Sequence, residues 1–513
     1  MTLPHESSTG LPQYPESYWL ASSRIPSFSK LTQDISVDTA IVGGGISGIV
    51  TAYMLSKQGL KVALLEAGQI LNGTTGHTTA KITAQHDLIY DEFISHFGEE
   101  KARLYYEAND DALRWIKQTI KEHQISCDFA EEDAYIYTAS DDYVQRIENE
   151  VRAYGTLGIP GAYLERTPLP FETKAAVVMK NQARFNPIPF LTKLVEQFTA
   201  QGGQIYEHTT AAAVEEGDPA TVTTLEGHKV TCRFVVSCSH FPFGGGGLYF
   251  ARLHASRSYV LGVRTDKPFP GGMYLSAEEP KRSLRSVTID GEPMILIGGE
   301  SHKTGQGICT IKHYEALQLF GEETFGLKEI CYRWSAQDLI TLDKLPYIGP
   351  ATADTPNILI ATGYKKWGMT SSVAAALLNV KTITGEHSPY QELFTPSRFY
   401  VDPSLKTFIV ENADVAKHLI AGKLDMSDKL HPDELNRDEG GVVRVNGRRA
   451  GAYRDEHGEL YIVDTTCTHM GCEVEWNNGD RTWDCPCHGS RFSYKGEVID
   501  GPAKKPLSKV EAL

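Results

Sequence analysis

The chain has 513 residues, 41% hydrophobic and 22% charged, with a formal net charge of -15. Such a length supports two or three domains with sizeable cores, and the acidic balance argues against nucleic acid or an anionic membrane as the main partner. The N-terminal stretch lacks the basic and apolar segments of a signal peptide, and no apolar run of about 18 residues occurs, so neither a leader nor a membrane span is expected and a cytoplasmic location follows.

Residues 1–35 are polar and rich in Pro and Ser, apart from Tyr18 and Trp19, and are expected to wrap the surface of the first domain. The next stretch carries chemistry. Thr39–Val42 predicts a short strand, Ile46–Gln58 an apolar helix ended by Gly59, and Lys61–Leu65 a second strand running into Glu66. Between strand and helix lies Gly43-Gly-Gly45-Ile46-Ser47-Gly48. Gly43 permits a tight turn, Gly45 lets backbone approach a pyrophosphate, and Gly48 lets helix pack on strand. The uncompensated N–H groups of the helix start then face the phosphates, and Glu66 is placed to accept hydrogen bonds from a ribose. The unit alone leaves FAD and NAD open.

Further along, Glu99–Glu122 predicts a long helix, and Ser258–Val263 and Met294–Gly298 are apolar runs in a strand-rich region. The Gly244–Gly247 run is followed by no helical pattern and reads as a flexible loop. Scattered Cys127, Cys232, Cys238, Cys309 and Cys331 read as free thiols of a reducing compartment. Pro403–Lys423 predicts an amphipathic helix, and the segment 424–435 a charged hinge. Short β signals return at Gly440–Val445, Ala452–Arg454 and Leu460–Val463.

Near the C-terminus come two loops, Cys467-Thr-His469-Met-Gly-Cys472 and Cys485-Pro-Cys487-His488-Gly-Ser490. Each offers one thiolate and one imidazole at close spacing. Two Cys and two His suit a [2Fe-2S] cluster in which His replaces Cys on one iron, or a tetrahedral zinc. Cys472 and Cys487 are a further pair for which a tetrahedral site has no use.

Two resemblances organise these signals. Residues from about 15 to 395 resemble the D-amino-acid-oxidase-like family of FAD-dependent oxidoreductases, which includes glycine and sarcosine oxidases. The match is carried by the glycine-rich unit, Asn72–Lys81, Arg184–Pro187, Arg233–Ser237, Asp343–Gly349 and Ala361–Thr370. It implies bound FAD contacted by Gly43, Gly45, Ile46, Ser47, Gly48, Glu66, Ala67, Thr74, Thr75, His77, Val214, Gly363, Trp367, Gly368, Met369 and Thr370. His77 is read as packing near the flavin ring, tuning it by a hydrogen bond, or attaching it covalently. The last ~85 residues resemble the Rieske family. That resemblance implies cluster ligands Cys467, His469, Cys485 and His488 and a Cys472–Cys487 disulfide tying the ligand loops. Ser490 falls where high-potential members place a hydroxyl bonded to cluster sulfur. Phe492 stands where they have Tyr, so one hydrogen bond is missing and a lower potential is expected.

The expected architecture is a Rossmann-like α/β FAD-binding domain with an interleaved α+β substrate domain, followed by a small all-β Rieske domain. The FAD-dependent oxidoreductase spans 1–395, with FAD-binding parts near 36–95, 166–250 and 336–395 and substrate parts near 96–165 and 251–335. A helical linker covers 396–430 and the Rieske domain 431–513. Amino-acid-oxidising relatives clamp the substrate carboxylate with an Arg four residues after a Trp. Counted from Trp334, that position here is Asp338, while Arg333 is expected to face away. Asp338 therefore becomes a candidate partner for a cationic amine. Tyr259 and Tyr332 are aromatic candidates for the pocket. The expected function is a flavin dehydrogenase oxidising a small amine or amino-acid-like substrate and passing electrons singly through the cluster to an external acceptor. The alternatives are a reductase with reverse flow and a non-catalytic redox sensor.

Overall fold

The computed structural model describes residues 10–511 except 243, 245, 290, 308 and 425–430, with side chains omitted at 420–424. Part of the glycine run and half of the expected charged hinge lie outside the described residues.

The glycine-rich unit folds as read. A strand at Ile35–Val42 leads into a helix at Ile46–Lys57 and a strand at Val62–Leu65. The two strands pair in parallel, Val42 opposite Leu65, and Lys229–Ser237 joins on the other side with Ser237 opposite Val42. Outward from there lie Ile358–Thr362 and Tyr347–Pro350 at one edge and Gln204–Tyr206 at the other. The chain ends of three parallel strands thus meet at one place, where open α/β sheets bind ligands. Two helices, Ile46–Lys57 and Gly368–Thr384, pack on each other behind that place. Both are apolar nearly all round because both are buried nearly all round.

The second sheet has nine strands. Its ordered path runs Leu327–Thr341, Leu253–Thr265, Glu292–Lys303, Arg282–Ile289, Met273–Ser276, Ala130–Thr138, Ala175–Arg184 and Lys81–Ile82. The last two fall by number among the parts expected to bind FAD, yet Ala175–Arg184 pairs with Ala130–Thr138, with Gly161–Leu164 and with Lys81–Ile82. The Glu99–Glu122 helix has the bounds read from the sequence. The N-terminal segment does more than wrap the surface. Trp19 is fully buried and donates its indole N–H to the Thr78 carbonyl at 2.6 Å.

The C-terminal part is all β. A three-stranded sheet (Glu439–Val445, Arg448–Arg454, Leu460–Val463) precedes a four-stranded one (Glu475–Asn477, Thr482–Asp484, Arg491–Ser493, Val498–Asp500). The linking helix runs Lys406–Leu424, after a turn at Val401–Leu405. It lays Val415 and Leu419 against the core of this β domain. No helix among the described residues is long and apolar enough to cross a membrane.

Candidate functional site: a shared flavin cavity and cluster loops

One cavity of about 1230 Å³ opens at the strand ends. Its first wall is the glycine-rich turn. Gly43 has φ +110°, and a Cβ there would sit 2.4 Å from the Cys238 carbonyl oxygen. A Cβ on Gly48 would sit 1.9 Å from the Gly43 carbonyl oxygen. Only glycine satisfies either position. The Ile46–Lys57 helix starts at Gly45 without a side-chain cap, and Thr75 Oγ1 accepts only the Ile46 N–H, at 3.1 Å. Glu66 accepts the N–H groups of Gly44 at 2.7 Å and Gly68 at 2.8 Å. Burial raises its pKa against those bonds. Each carboxylate oxygen keeps a second lone-pair site for another donor.

A second buried helix start faces the same space. The Gly368–Thr384 helix begins after Trp367, again with no side-chain cap, and Trp367, Gly368, Met369 and Ser372 line the cavity. Trp367 stacks on His86 with ring centroids 4.8 Å apart. His86 was not singled out from the sequence, and burial pushes its pKa down to about 3. The ring nitrogens His240 Nε2 and Trp367 Nε1 are buried without a hydrogen-bond partner among the described residues. Two uncapped helix starts, glycines that tolerate no Cβ and two orphaned donors or acceptors fit a long, polar, anionic cofactor.

Of the residues expected at FAD, Gly43, Gly45, Ile46, Ser47, Glu66, Ala67, Thr74, Thr75, His77, Trp367, Gly368 and Met369 line the cavity. Gly48, Val214, Gly363 and Thr370 do not. Gly48 lies under the turn, the wall near Val214 is made by Thr210 and Ala211, and the Thr370 hydroxyl donates to the Thr83 carbonyl at 2.9 Å. His77 ends a short 3-10 turn, with Nδ1 2.9 Å from the Gly73 carbonyl, and burial lowers its pKa.

The far end of the cavity is charged. Half-buried Asp338 lines it, and its carboxyl is pushed up to about 6 by burial, against the pull of Lys366 and Arg257. Lys366 donates to Ser258 Oγ at 2.6 Å and also to Ser301 Oγ. Lys281 bridges to Asp87 at 3.1 Å. Burial and nearby Arg285 lower Lys81 to about 7. These lysines were missed as pocket residues. The available signal was Lys365-Lys366 inside an otherwise uncharged turn. Tyr259 touches the wall, but its hydroxyl is held by His302 Nε2 at 2.9 Å and its ring stacks on His302 and His313. Tyr332 packs edge-on against Tyr18, with centroids 5.6 Å apart.

The two Cys/His loops have matching turns. Gly471 N–H donates to the Cys467 carbonyl at 2.9 Å, and Gly489 N–H to the Cys485 carbonyl at 3.0 Å. Cys467 and Cys485 are buried free thiols. The imidazoles of His469 and His488 stand 5.0 Å apart, nearly perpendicular. Nδ1 of each is buried without a hydrogen-bond partner among the described residues. Two convergent thiols with two orphaned imidazole nitrogens fit a metal centre with Cys and His on different irons. The Cys472–Cys487 disulfide is formed and joins the loops, with Cα atoms 6.5 Å apart. Ser490 Oγ accepts the Ala503 N–H at 3.0 Å. Phe492 is fully buried in the domain core and brings no hydroxyl.

The loops and the cavity adjoin. His469 lines the cavity beside Asp500 and Lys504. The Phe241 ring lies 6.4 Å from His469, and Phe250 lies 5.9 Å from His488. The contact between domains is a buried charge cluster. Arg257, fully buried, reaches Asp480 at 3.7 Å and Asp484 at 3.6 Å. Arg491 reaches the same two carboxylates at 3.2 Å each and Asp500 at 3.4 Å. Arg333, on the face of its strand opposite Trp334, holds the carbonyls of Pro12, Gln13 and Gly479. It is turned away from the cavity.

This combination defines a flavin-dependent oxidoreductase carrying its own Rieske-type domain. The sequence profile described as FAD dependent oxidoreductase (DAO) matches residues 38–381, and that of the Rieske [2Fe-2S] domain matches 427–511. The chain belongs to the FAD-dependent oxidoreductase family, with a C-terminal Rieske domain, and its cofactors are FAD and a [2Fe-2S] cluster. It is 53% identical over 498 residues to a putative Rieske 2Fe-2S iron-sulfur protein, YhfW, of Bacillus subtilis, covering 97% of this chain and 98% of that one. It is 22% identical over 391 residues to gamma-glutamylputrescine oxidoreductase of Escherichia coli, covering 73% of this chain and 90% of that one. The glycine oxidase structure from Geobacillus kaustophilus superposes with a TM-score of 0.60 at 18% identity, covering 71% of this chain and 99% of that one.

Proposed function

We propose that the protein oxidises a small amine or amino-acid-like substrate and delivers the electrons singly to an external one-electron acceptor. Bound FAD would supply a two-electron hydride acceptor, and the cluster a one-electron outlet. The observation that carries this reading is that His469 lines the same cavity as the glycine-rich turn. Cys467, His469, Cys485 and His488 would hold the cluster. The cavity residues from Gly43 to Ser47, with Glu66, Thr74, Thr75 and the start of the 368–384 helix, would hold FAD.

The chain's own groups then shape the reaction. The uncapped start of the Gly368–Thr384 helix places positive potential at one end of the cavity and favours negative charge there. Asp338, ionised above about pH 6, offers a counter-charge to an amine cation. Lys366, held by two serine hydroxyls, sets a positive point near it that suits a second, anionic group on the substrate. The relatives named for amine and amino-acid chemistry agree with a C–H next to nitrogen as the reacting bond. Free buried thiols such as Cys127, Cys232 and Cys238 accord with a reducing, cytoplasmic setting.

A substrate screen of the purified holoprotein under anaerobic conditions, followed by loss of flavin absorbance, tests the proposal. Bleaching by an amine or amino acid supports it. Bleaching by none across a broad amine panel, with bleaching by alcohols or hydroxy acids instead, contradicts the substrate class.

A further inference from the structure

Strand Leu327–Thr341 runs between one wall of the cavity and the second ligand loop of the Rieske domain, and its alternation divides its side chains between them. Trp334 donates to the His77 carbonyl at 2.9 Å, and Ala336 and Asp338 line the cavity. On the opposite face Arg333 reaches the Gly479 carbonyl, Ser335 donates to Asp480, and Gln337 donates to the Gly489 carbonyl at 2.9 Å. Gly489 directly follows His488.

Gln337 is the one of these residues that meets both sides. Its main-chain carbonyl accepts the Thr74 hydroxyl at 3.1 Å, and Thr74, one of the residues expected to contact FAD, lines the cavity. Its side-chain amide is buried and fixed. Oε1 accepts from Thr304 Oγ1 at 2.8 Å and from Arg257 at 3.2 Å, which leaves Nε2 as the donor to Gly489. The packing around the second ligand loop is as close as backbone allows. A Cβ on Gly489 would meet Ala255 Cβ at 2.4 Å, and one on Gly305 would meet Pro486 N at 2.7 Å. Gln306 also donates to the Pro486 carbonyl at 3.2 Å.

The geometry points to Gln337 as a positioning residue that fixes the second cluster loop against the Thr74 loop of the cavity, so that electrons cross between two docked domains without domain movement. This rests on the reading that electrons pass between flavin and cluster, in either direction. Gln337 binds neither cofactor. It holds His488's loop by a charge-neutral amide whose two ends are both bonded, the kind of outer contact whose loss costs about 10- to 100-fold where it orients metal ligands.

The test uses holoprotein and needs no known substrate. A light flash with excess EDTA as electron donor reduces the flavin, and one of the electrons supplied then enters the oxidised cluster, followed by its own absorbance. Gln337→Leu removes all three side-chain contacts. Gln337→Glu keeps an acceptor for Thr304 and Arg257 but replaces the donor to Gly489 with oxygen. Both variants are expected to reduce flavin at the wild-type rate and the cluster about 10-fold more slowly or worse, with an altered EPR spectrum of the reduced cluster. Thr304→Val, which loosens the same amide from outside either site, is expected to slow the second step by a smaller factor, and Thr304→Ser to restore it. Thr304→Val carries the test if the Gln337 variants fail to fold. Cluster reduction at the wild-type rate with an unchanged EPR spectrum would overturn the role of Gln337. A wild-type protein whose flavin reduces while its cluster never does would overturn the electron path itself, and the role of Gln337 with it.

Discussion

Removing the Arg257 guanidinium is the most demanding test of how the two domains are joined. Arg257 is fully buried and faces Asp480 and Asp484, with Ser335 and Gln337 as hydrogen-bond partners. In Arg257→Met, the buried carboxylates of Asp480 and Asp484, with half-buried Asp500, share Arg491. Breaking a buried ion pair by deleting one partner costs about 3–5 kcal/mol. At about 1.4 kcal/mol per decade this is ~100- to 4000-fold in the opening equilibrium of the interface. Amide hydrogen exchange across residues 475–491 of the holoprotein should accelerate by that factor, with the Glu99–Glu122 helix unchanged as an internal control. The pH dependence follows from Asp480. Burial alone would raise its pKa, but Arg491 and Arg257 outweigh burial and hold it below the usual value. A depressed folded-state pKa stabilises above the unfolded value and loses that contribution as pH falls through the folded one. Wild-type protection should therefore hold at neutral pH and fade only in acid, below the ordinary carboxylate range. The variant should lose it at higher pH. Exchange in 475–491 at the wild-type rate near neutral pH would refute the claim that this charge cluster holds the domains together.

Other consequences are separable. Asp338→Asn should weaken amine binding by about 2 kcal/mol, ~30-fold in KM, and abolish a rise in wild-type kcat/KM through about pH 6, where the Asp338 carboxyl ionises. A pH profile identical to wild type would remove Asp338 from the substrate. Phe492→Tyr should raise the cluster's midpoint potential by about 40 mV, the one-electron equivalent of one hydrogen bond of ~1 kcal/mol, and Ser490→Ala should lower it by a similar amount; potentiometric EPR titration reads both. Gly48→Ala should yield protein without flavin, because its Cβ would lie 1.9 Å from the Gly43 carbonyl oxygen. Full flavin occupancy in that variant, read from absorbance, would contradict the proposed binding turn.

The parts of this structure legible in the sequence are those whose cause is local. Gly43 and Gly48 announce a turn that no Cβ can enter, the 3.6-residue pattern bounds the Glu99–Glu122 helix, and two C/H loops bring their ligands close by spacing alone. What stayed hidden depends on distant partners. Ala175–Arg184 has the composition of a buried strand in either sheet, and only its pairing with Ala130–Thr138 places it in the second. Trp19 sits in a polar, Pro-rich segment, and its burial follows from the Thr78 carbonyl it finds 59 residues away. Arg257 and Asp480 are 223 positions apart, and neither neighbourhood hints at an ion pair. Asp338 was visible as a departure at a clamp position, but Lys366, from the turn before the Gly368–Thr384 helix, had to be brought beside it by the fold.

In the proposed function the cluster is the exit for electrons taken by the flavin. Cys467→Ser tests it most directly, in protein shown to retain flavin and fold. With a bleaching substrate, the account predicts flavin reduction at the wild-type rate and reduction of a one-electron acceptor such as cytochrome c falling to background, with slow reaction toward oxygen in both proteins. Rapid turnover with oxygen in Cys467→Ser, or undiminished acceptor reduction, would contradict it.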